Sequence, residues 1–166
     1  PKVMWHVINR GMDPSTSKIA QITETCGIMK SMAQIDWTQL ELYDDKATER
    51  MIQNMAHIEA MNQEFVSKLF YGNAKLEPET MTGLAVRYSK LDDPATGYYT
   101  IDAGGTDNLT SIYLVCWGPR SVYGIVPKNM VTGIQFKPSP GLTTLYDDDN
   151  KAFQGYEDWW YWNVGL

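Results

Sequence analysis

The sequence contains few of the side chains on which metal proteins and many enzymes depend. Its 166 residues include only two cysteines, Cys26 and Cys116, and two histidines, His6 and His57. The cysteines are far apart, and neither a CxxC pair nor a nearby histidine accompanies them, which excludes the usual zinc and redox motifs. We therefore interpret the cysteines as buried, reduced thiols and the histidines as structural residues. No metal site is predicted.

Catalytic and cofactor-binding motifs are also missing. No GxSxG motif occurs, and Ser121 has no assignable base. The DAGGTDN segment lacks both GxxxxGK[ST] and GxGxxG spacing, so a tight turn at Gly104 and Gly105 is expected instead of a phosphate loop. The consecutive carboxylates of YDDDN, residues 146–150, lack the alternate spacing of a calcium loop and indicate a solvated turn. The sequence thus predicts no catalytic residue, no cofactor and no enzyme.

A basic excess and a long apolar run are absent as well. The formal net charge is -6, whereas a protein that coats nucleic acid normally presents a basic face. No apolar run approaches the about 18 residues that a membrane span requires, so no membrane partner is expected. Hydrophobic residues make up 43% of the chain and charged residues 20%. This composition fits one globular unit with a real core.

The N-terminal part has the pattern of a long hairpin. Residues 3–10 and 19–35 are strand-like, and GMDPSTS between them is rich in turn residues. Neither face of segment 19–35 is cleanly apolar, which is unusual for a strand on a compact sheet. Gly27 is expected to mark a bend or bulge.

A long helix is predicted from about residue 45 to residue 71. Asp44 or Asp45 would cap its start, and Gly72 with Asn73 would end it in the left-handed conformation. Apolar residues at steps of three and four predict a stripe that packs on the core. The stripe comprises Ala47, Met51, Met55, Ile58, Met61 or Asn62, Phe65 and Leu69.

Shorter apolar runs follow. Residues 110–117 and 121–126 predict two strands around a turn at Gly118, the first of them central in its sheet. LTTLY and FQGYEDWWYWNVGL predict further strands on either side of the acidic turn. In a strand, Trp159 and Trp160 point to opposite faces, so the core or a partner is expected to cover at least one of them.

The dimensions of these elements favour an assembly. A compact chain of this length is roughly 40 Å across, and a helix of some 27 residues is itself about 40 Å long. An unbroken strand over residues 19–35 would reach about 55 Å. We therefore expect an elongated subunit whose N-terminal arm projects and becomes ordered on other subunits. Both ends of the chain are expected to continue into a longer polypeptide.

Four segments carry a resemblance to a known family. MNQEFVSKLFYGN, TGLAVRYSKL, IDAGGTDNLTSIYLVCWGP and VYGIVPK, in this order, resemble the major capsid proteins of tailed bacteriophages, and the resemblance extends over nearly the whole chain. It implies an α+β fold of the Hong Kong 97 type. Residues 1–36 would form an extended hairpin, the E-loop, and residues 37–72 the spine helix of the peripheral domain. Residues 73–135 would form a mixed α/β axial domain, and residues 136–166 would return to a truncated peripheral sheet.

The function implied by the resemblance is structural. Copies of the chain, as pentamers and hexamers, would self-assemble into an icosahedral shell that encloses double-stranded DNA without sequence specificity. Such a virion would be assembled in the bacterial host cytoplasm, with scaffolding or decoration proteins as further partners. A carbohydrate- or protein-binding module that uses the C-terminal aromatic residues is the alternative. The candidate subunit-interface residues are Trp5, Arg10, Met12, Lys18, Trp159 and Trp160.

Overall fold

The computed structural model describes residues 3–5, 8–16, 21–119 and 121–166. The helices are α1 (Trp37–Glu41), α2 (Lys46–Tyr71) and α3 (Leu84–Arg87), and a 3-10 turn covers Gly97–Tyr99. The strands are β1 (Gly27–Asp36), β2 (Gln135–Lys137), β3 (Thr143–Tyr146) and β4 (Ala152–Val164).

The four strands form one antiparallel sheet with β4 at its centre. Strand β1 pairs with β4 along its whole length, from Gly27 opposite Val164 to Asp36 opposite Gly155. Strands β2 and β3 pair with β4 along its other edge. The β3–β4 connection is the predicted acidic turn, in which Asn150 adopts a positive φ of 61° and its N–H donates to the Asp147 carbonyl.

Helix α2 packs across this sheet and begins where the sequence predicted. Asp45 is the N-cap, because its carboxylate accepts hydrogen bonds from the backbone N–H and the hydroxyl of Thr48. The predicted left-handed end is wrong, since Gly72 has φ -57° and ψ 141°. Glycine is needed there for a different reason: a Cβ at this position would lie 2.4 Å from the carbonyl oxygen of Met81. The chain after the helix therefore packs directly on its last turn.

The predicted apolar stripe of α2 is only partly the buried face. Asn54 and Met61 are the buried residues of the helix, and Phe65 is half-buried against Trp162, with ring centroids 4.5 Å apart. Ala47, Met51 and Met55 are exposed. The helix is rotated from the expected orientation because a polar residue, Asn54, makes hydrogen bonds inside the core.

The predicted long hairpin is wrong in the described residues. Residues 21–26 form no strand, and neither do residues 3–5 or 8–10. The regular part of the second segment is β1, which begins at Gly27 without a bulge and pairs with β4 instead of the first segment. Strand β4 offers ten consecutive partners in register. Residues 1, 2, 6, 7 and 17–20, which include part of the predicted hairpin, lie outside the described part of the chain.

The predicted strand pair at 110–126 is also wrong. Single bridges join Trp117 to Val122 and Ile125 to Gly165, and Ile112 and Leu114, expected in a sheet centre, are fully exposed. Within the described residues, no further strand lies beside this segment to complete a ladder. The turn itself is confirmed, because the Gly118 N–H donates to the Val122 carbonyl over 3.0 Å.

Among the predictions for single residues, some are confirmed and others are wrong. Cys116 is exposed and not buried, whereas Cys26 is half-buried, with its Sγ 3.9 Å from the Ile125 carbonyl oxygen. The turn at Gly104 is confirmed, since this residue has φ +74° and its N–H donates to the Asp102 carboxylate. His57 is a hydrogen-bonded residue as predicted: its Nδ1 lies 2.8 Å from the Ser31 hydroxyl.

Candidate assembly surface

A buried polar network fixes helix α2 on the sheet. Asp158 of β4 is 0% exposed and accepts hydrogen bonds from the Arg50 guanidinium, from Asn54 Nδ2 at 2.7 Å and from the Ser139 N–H at 2.9 Å. Asn54 in turn accepts a 2.7 Å hydrogen bond from the indole N–H of Trp160. The network joins the helix, the central strand and the segment that precedes β3. It therefore defines which faces of the helix and sheet remain available to a partner.

The electrostatics of this network follow from its geometry. Burial disfavours the charged form of Asp158, but the hydrogen bonds from Arg50, Ser139 and Asn54 outweigh it and lower the pKa of the carboxyl below its ordinary value. The hydrogen bond to Asp158 raises the pKa of Arg50. The Arg50 guanidinium also lies 4.2 Å from the Tyr156 ring centroid, a cation–π contact. The pair is ionised across the neutral range.

The two adjacent tryptophans point to opposite faces of β4, as predicted. Trp160 is only 6% exposed and stacks on Phe136 with ring centroids 4.2 Å apart, so it belongs to the core beneath α2. Trp159 lies on the outer face of the sheet and is 38% exposed, and its indole N–H donates to Glu157 at 2.7 Å. Because Trp160 and half-buried Trp162 face inward, the C-terminal aromatic residues do not form one exposed cluster.

The outer face of the sheet carries an apolar row with cationic neighbours. Met32 of β1 lies opposite Trp159, and Lys30 lies opposite Tyr161. Lys137 of β2 is opposite Trp159 on the other side. These five side chains are exposed, and no described element covers them. A mixed apolar and cationic surface of this kind is typical of a protein contact that is partly polar.

The described residues of the N-terminal arm are exposed throughout. Every described residue from 3 to 16 is exposed, including the interface candidates Trp5, Arg10 and Met12. Lys18, the fourth candidate on the arm, lies outside the described residues. The large apolar side chains that are left in solvent are Val3, Met4, Trp5, Ile8 and Met12.

Two further apolar surfaces are uncovered. Helix α2 exposes Met51, Ile52 and Met55 on the side away from the sheet. The segment from the 3-10 turn to Leu114 exposes a larger set of apolar side chains, and exposed apolar surface of this kind marks interaction sites in soluble proteins. That set comprises Tyr98, Tyr99, Ile101, Leu109, Ile112 and Leu114.

The cavities offer little chemistry. One cavity, of about 380 Å³, is an open groove between the start of β1 and the C-terminal half of α2, and its lining includes Met29, Met61, Phe65 and Met81. In the described ranges, no three His, Cys, Asp or Glu side chains are grouped closely enough to hold a metal ion. Nor does the described part of the chain contain a helix long and apolar enough to cross a membrane. The exposed apolar surfaces are the main functional feature.

Sequence reasoning did not identify the two polar anchors of the subunit. One is the network around Asp158, and the other is a two-pronged ion pair between Arg87 and Glu24. A signal for the first exists in the sequence, because an aspartate between aromatic residues of a buried strand requires a partner. Nothing in the sequence singles out Arg50 as that partner. The pairing follows only from how α2 crosses β4.

Comparison with solved structures finds a similar fold in a bacteriophage. A chain in the structure of bacteriophage Epsilon15, derived from cryo-EM and modeling, matches with a TM-score of 0.55 and 23% sequence identity. The match covers 100% of this chain and 50% of that chain, so the present chain spans about half the length of its structural relative. At this level of identity the likeness concerns the fold. The predicted α+β fold of Hong Kong 97 type is confirmed.

The family follows from the sequence itself. The model of the family "Major capsid protein GP7" matches residues 1–166. Curated proteins gave no match. The chain belongs to the GP7 family of major capsid proteins, and the resemblance drawn from its four motifs is confirmed.

Proposed function

We propose that this subunit assembles with identical copies into a closed icosahedral shell of pentamers and hexamers. The observation that carries the proposal is the arm: its described residues are all exposed, and they leave Trp5, Ile8 and Met12 in solvent. Full burial of an apolar side chain of this size is favourable by about 1.5–3 kcal/mol of free energy. Neighbouring copies can supply that burial. Membership of a capsid protein family agrees with this role.

The division of the chain that we propose follows the resemblance. Residues 1–36 are the E-loop region, in which the described residues before β1 form no hairpin and β1 joins the region to the sheet. Residues 37–72 carry the spine helix, which is supported by the 26-residue length of α2 and its packing on the sheet. Residues 73–135 are the axial domain. Residues 136–166 return to the peripheral sheet, in agreement with the central place of β4.

Specific contacts are proposed at the arm and at the outer sheet face. On the arm, Trp5 and Met12 would supply apolar contacts, while Arg10 and Lys18 would supply polar contacts at the edge. On the sheet, Trp159 would contact a neighbouring subunit. Trp160 would contribute indirectly, because its packing in the core fixes the position of β4, the strand that presents Trp159.

The shell would enclose double-stranded DNA without reading its sequence. With a net charge of -6, the chain would confine DNA without neutralising many phosphates. We further propose that the protein has no enzymatic activity and no membrane partner, that it is assembled in the cytoplasm of a bacterial host, and that it becomes part of the virion. Scaffolding or decoration proteins are proposed as transient or peripheral partners.

The test is deletion of residues 9–18 from the full-length protein. We expect a subunit with the circular dichroism spectrum and cooperative unfolding of the parent, but without closed particles in sedimentation and electron microscopy. The matched control is Asp149→Asn in the exposed turn, which should assemble normally. Closed shells of normal size from the deletion variant would refute the role of the arm.

A further inference from the structure

Glu24 marks the point at which the described part of the arm meets the body. Along the described chain, residues 3–5, 8–16 and 21–23 are all exposed, and Glu24 is the first side chain that is not. From there the chain passes through half-buried Cys26 into β1. The contacts that hold Glu24 therefore bear on the direction in which the preceding residues leave the body.

Glu24 is held by Arg87 at the end of α3. The guanidinium donates from Nη1 to one carboxylate oxygen of Glu24 at 2.6 Å and from Nη2 to the other at 2.8 Å. Such a two-pronged pair fixes orientation as well as distance. Both side chains are only 24% exposed, so water and salt weaken the pair less than a surface pair.

The same guanidinium is tied to the body by two further contacts. Its Nε donates to the Thr82 carbonyl at 3.2 Å, and Nη2 also donates to the Leu166 carbonyl at 2.7 Å. Close by, Gly165 exchanges backbone hydrogen bonds with Ile125, both 2.9 Å long. Arg87 is thus itself immobilised by backbone atoms from two separate segments, and it can transmit their position to the arm.

Resting on the proposed shell function, we propose that Arg87 is the positioning residue of the arm, which sets the angle at which the arm projects toward a neighbouring subunit through its ion pair with Glu24. A fixed angle reduces the entropy lost when the arm docks, because the arm does not have to search for the bound direction. The contribution is to assembly and not to the folding of the sheet, whose core lies elsewhere.

The experiment measures the direction of the arm in the unassembled full-length protein. Spin labels are placed on cysteines at the exposed positions Ile22 and Met55, after Cys26→Ala and Cys116→Ala, and the distance distribution is recorded by pulsed electron paramagnetic resonance. We expect a narrow distribution in this background and a broad, shifted one in Glu24→Gln. Glu24→Gln is the principal variant because it leaves the contacts of Arg87 with Thr82 and Leu166 in place.

A double variant and a control variant distinguish loss of arm positioning from general destabilisation of the subunit. Adding Arg87→Gln to Glu24→Gln should cause no further broadening, because the pair acts as a unit. Glu41→Gln, which removes an exposed ion pair with Lys46, should leave the distribution unchanged. An unchanged distribution in Glu24→Gln, or equal broadening in Glu41→Gln, overturns the proposal.

Assembly is then measured separately. Shell formation by Glu24→Gln should be slower than that of the parent by about tenfold, because the arm then loses more conformational entropy on docking. If the parent protein forms no shells, the proposed function fails while the distance distributions still decide the role of Arg87. If shells form at the parental rate despite a broadened arm, the positioning role in assembly is refuted and the shell function stands.

Discussion

Replacement of Asp158 by asparagine should destabilise the subunit more than most single substitutions. Asp158 is 0% exposed, and donors from Arg50, Asn54 and Ser139 converge on its two oxygens. An amide of the same shape offers one acceptor oxygen and turns its own N–H groups toward those donors. Removal of one partner of a buried ion pair costs about 3–5 kcal/mol. Since the Arg50 side chain is 23% exposed and can be partly hydrated, we expect the lower end, about 3 kcal/mol.

The effect has a defined dependence on pH. The hydrogen bonds in the network lower the pKa of Asp158 in the folded state, so ionised Asp158 stabilises the fold above its unfolded pKa of about 3.9. That stabilisation is lost as the pH falls through the lower, folded-state pKa. The difference in unfolding free energy between the parent and Asp158→Asn should therefore be constant near neutral pH and shrink below about pH 4.

The assay is urea unfolding of the unassembled subunit, followed by tryptophan fluorescence at several pH values. Asp149→Asn serves as the control, because Asp149 and its partner Lys151 are largely exposed and such pairs contribute about 0–1 kcal/mol. A difference for Asp158→Asn below about 1 kcal/mol, or one that persists unchanged in acid, would show that the network does not hold α2 on the sheet.

Three further predictions concern single residues and are checked by the same unfolding assay. Trp160→Ala should cost about 3–5 kcal/mol because the ring is buried on Phe136, whereas Trp159→Ala should cost clearly less; equal losses would contradict the assignment of faces. Gly72→Ala should destabilise the fold because its Cβ would lie 2.4 Å from a backbone oxygen, and a neutral result would show that this approach relaxes freely. Asp45→Ala should lower the unfolding free energy by about 1 kcal/mol through loss of the N-cap. Asp44→Ala, the control, should leave the unfolding free energy unchanged.

Local features of the fold could be predicted from the sequence because local chemistry determines them. The cap at Asp45, the turn at Gly104 and the acidic turn before β4 each depend on a side chain and its immediate neighbours. The opposite orientation of Trp159 and Trp160 follows from the two-residue period of a strand. The predicted length of α2 is nearly correct because local signals at its two ends, Asp45 and Gly72, mark where it begins and ends.

Long-range pairing could not be predicted in this way. The sequence pattern predicts that segment 19–35 pairs with residues 3–10, its neighbour in sequence. In the structure, β1 pairs instead with β4, which lies far from it along the chain. The rotation of α2 was misjudged because hydrophobic periodicity ranks Met51 and Met55 above a polar residue, while the network around Asp158 draws Asn54 inward. Ile112 and Leu114 were expected in a sheet because an apolar run has the same composition in a core as in an uncovered surface.

The central position of β4 has a consequence for how the polypeptide reaches its native state. Because β1, β2 and β3 all pair with Ala152–Val164 and with no other described strand, no part of the sheet can form before the ribosome has released this stretch. Helix α2 and β1 must wait, with their apolar sides uncovered, until the segment between them and β4 has been synthesised. Contacts between distant parts of a chain form slowly, and waiting intermediates of this kind aggregate readily. Until β4 emerges, these segments of the nascent chain therefore need protection from aggregation.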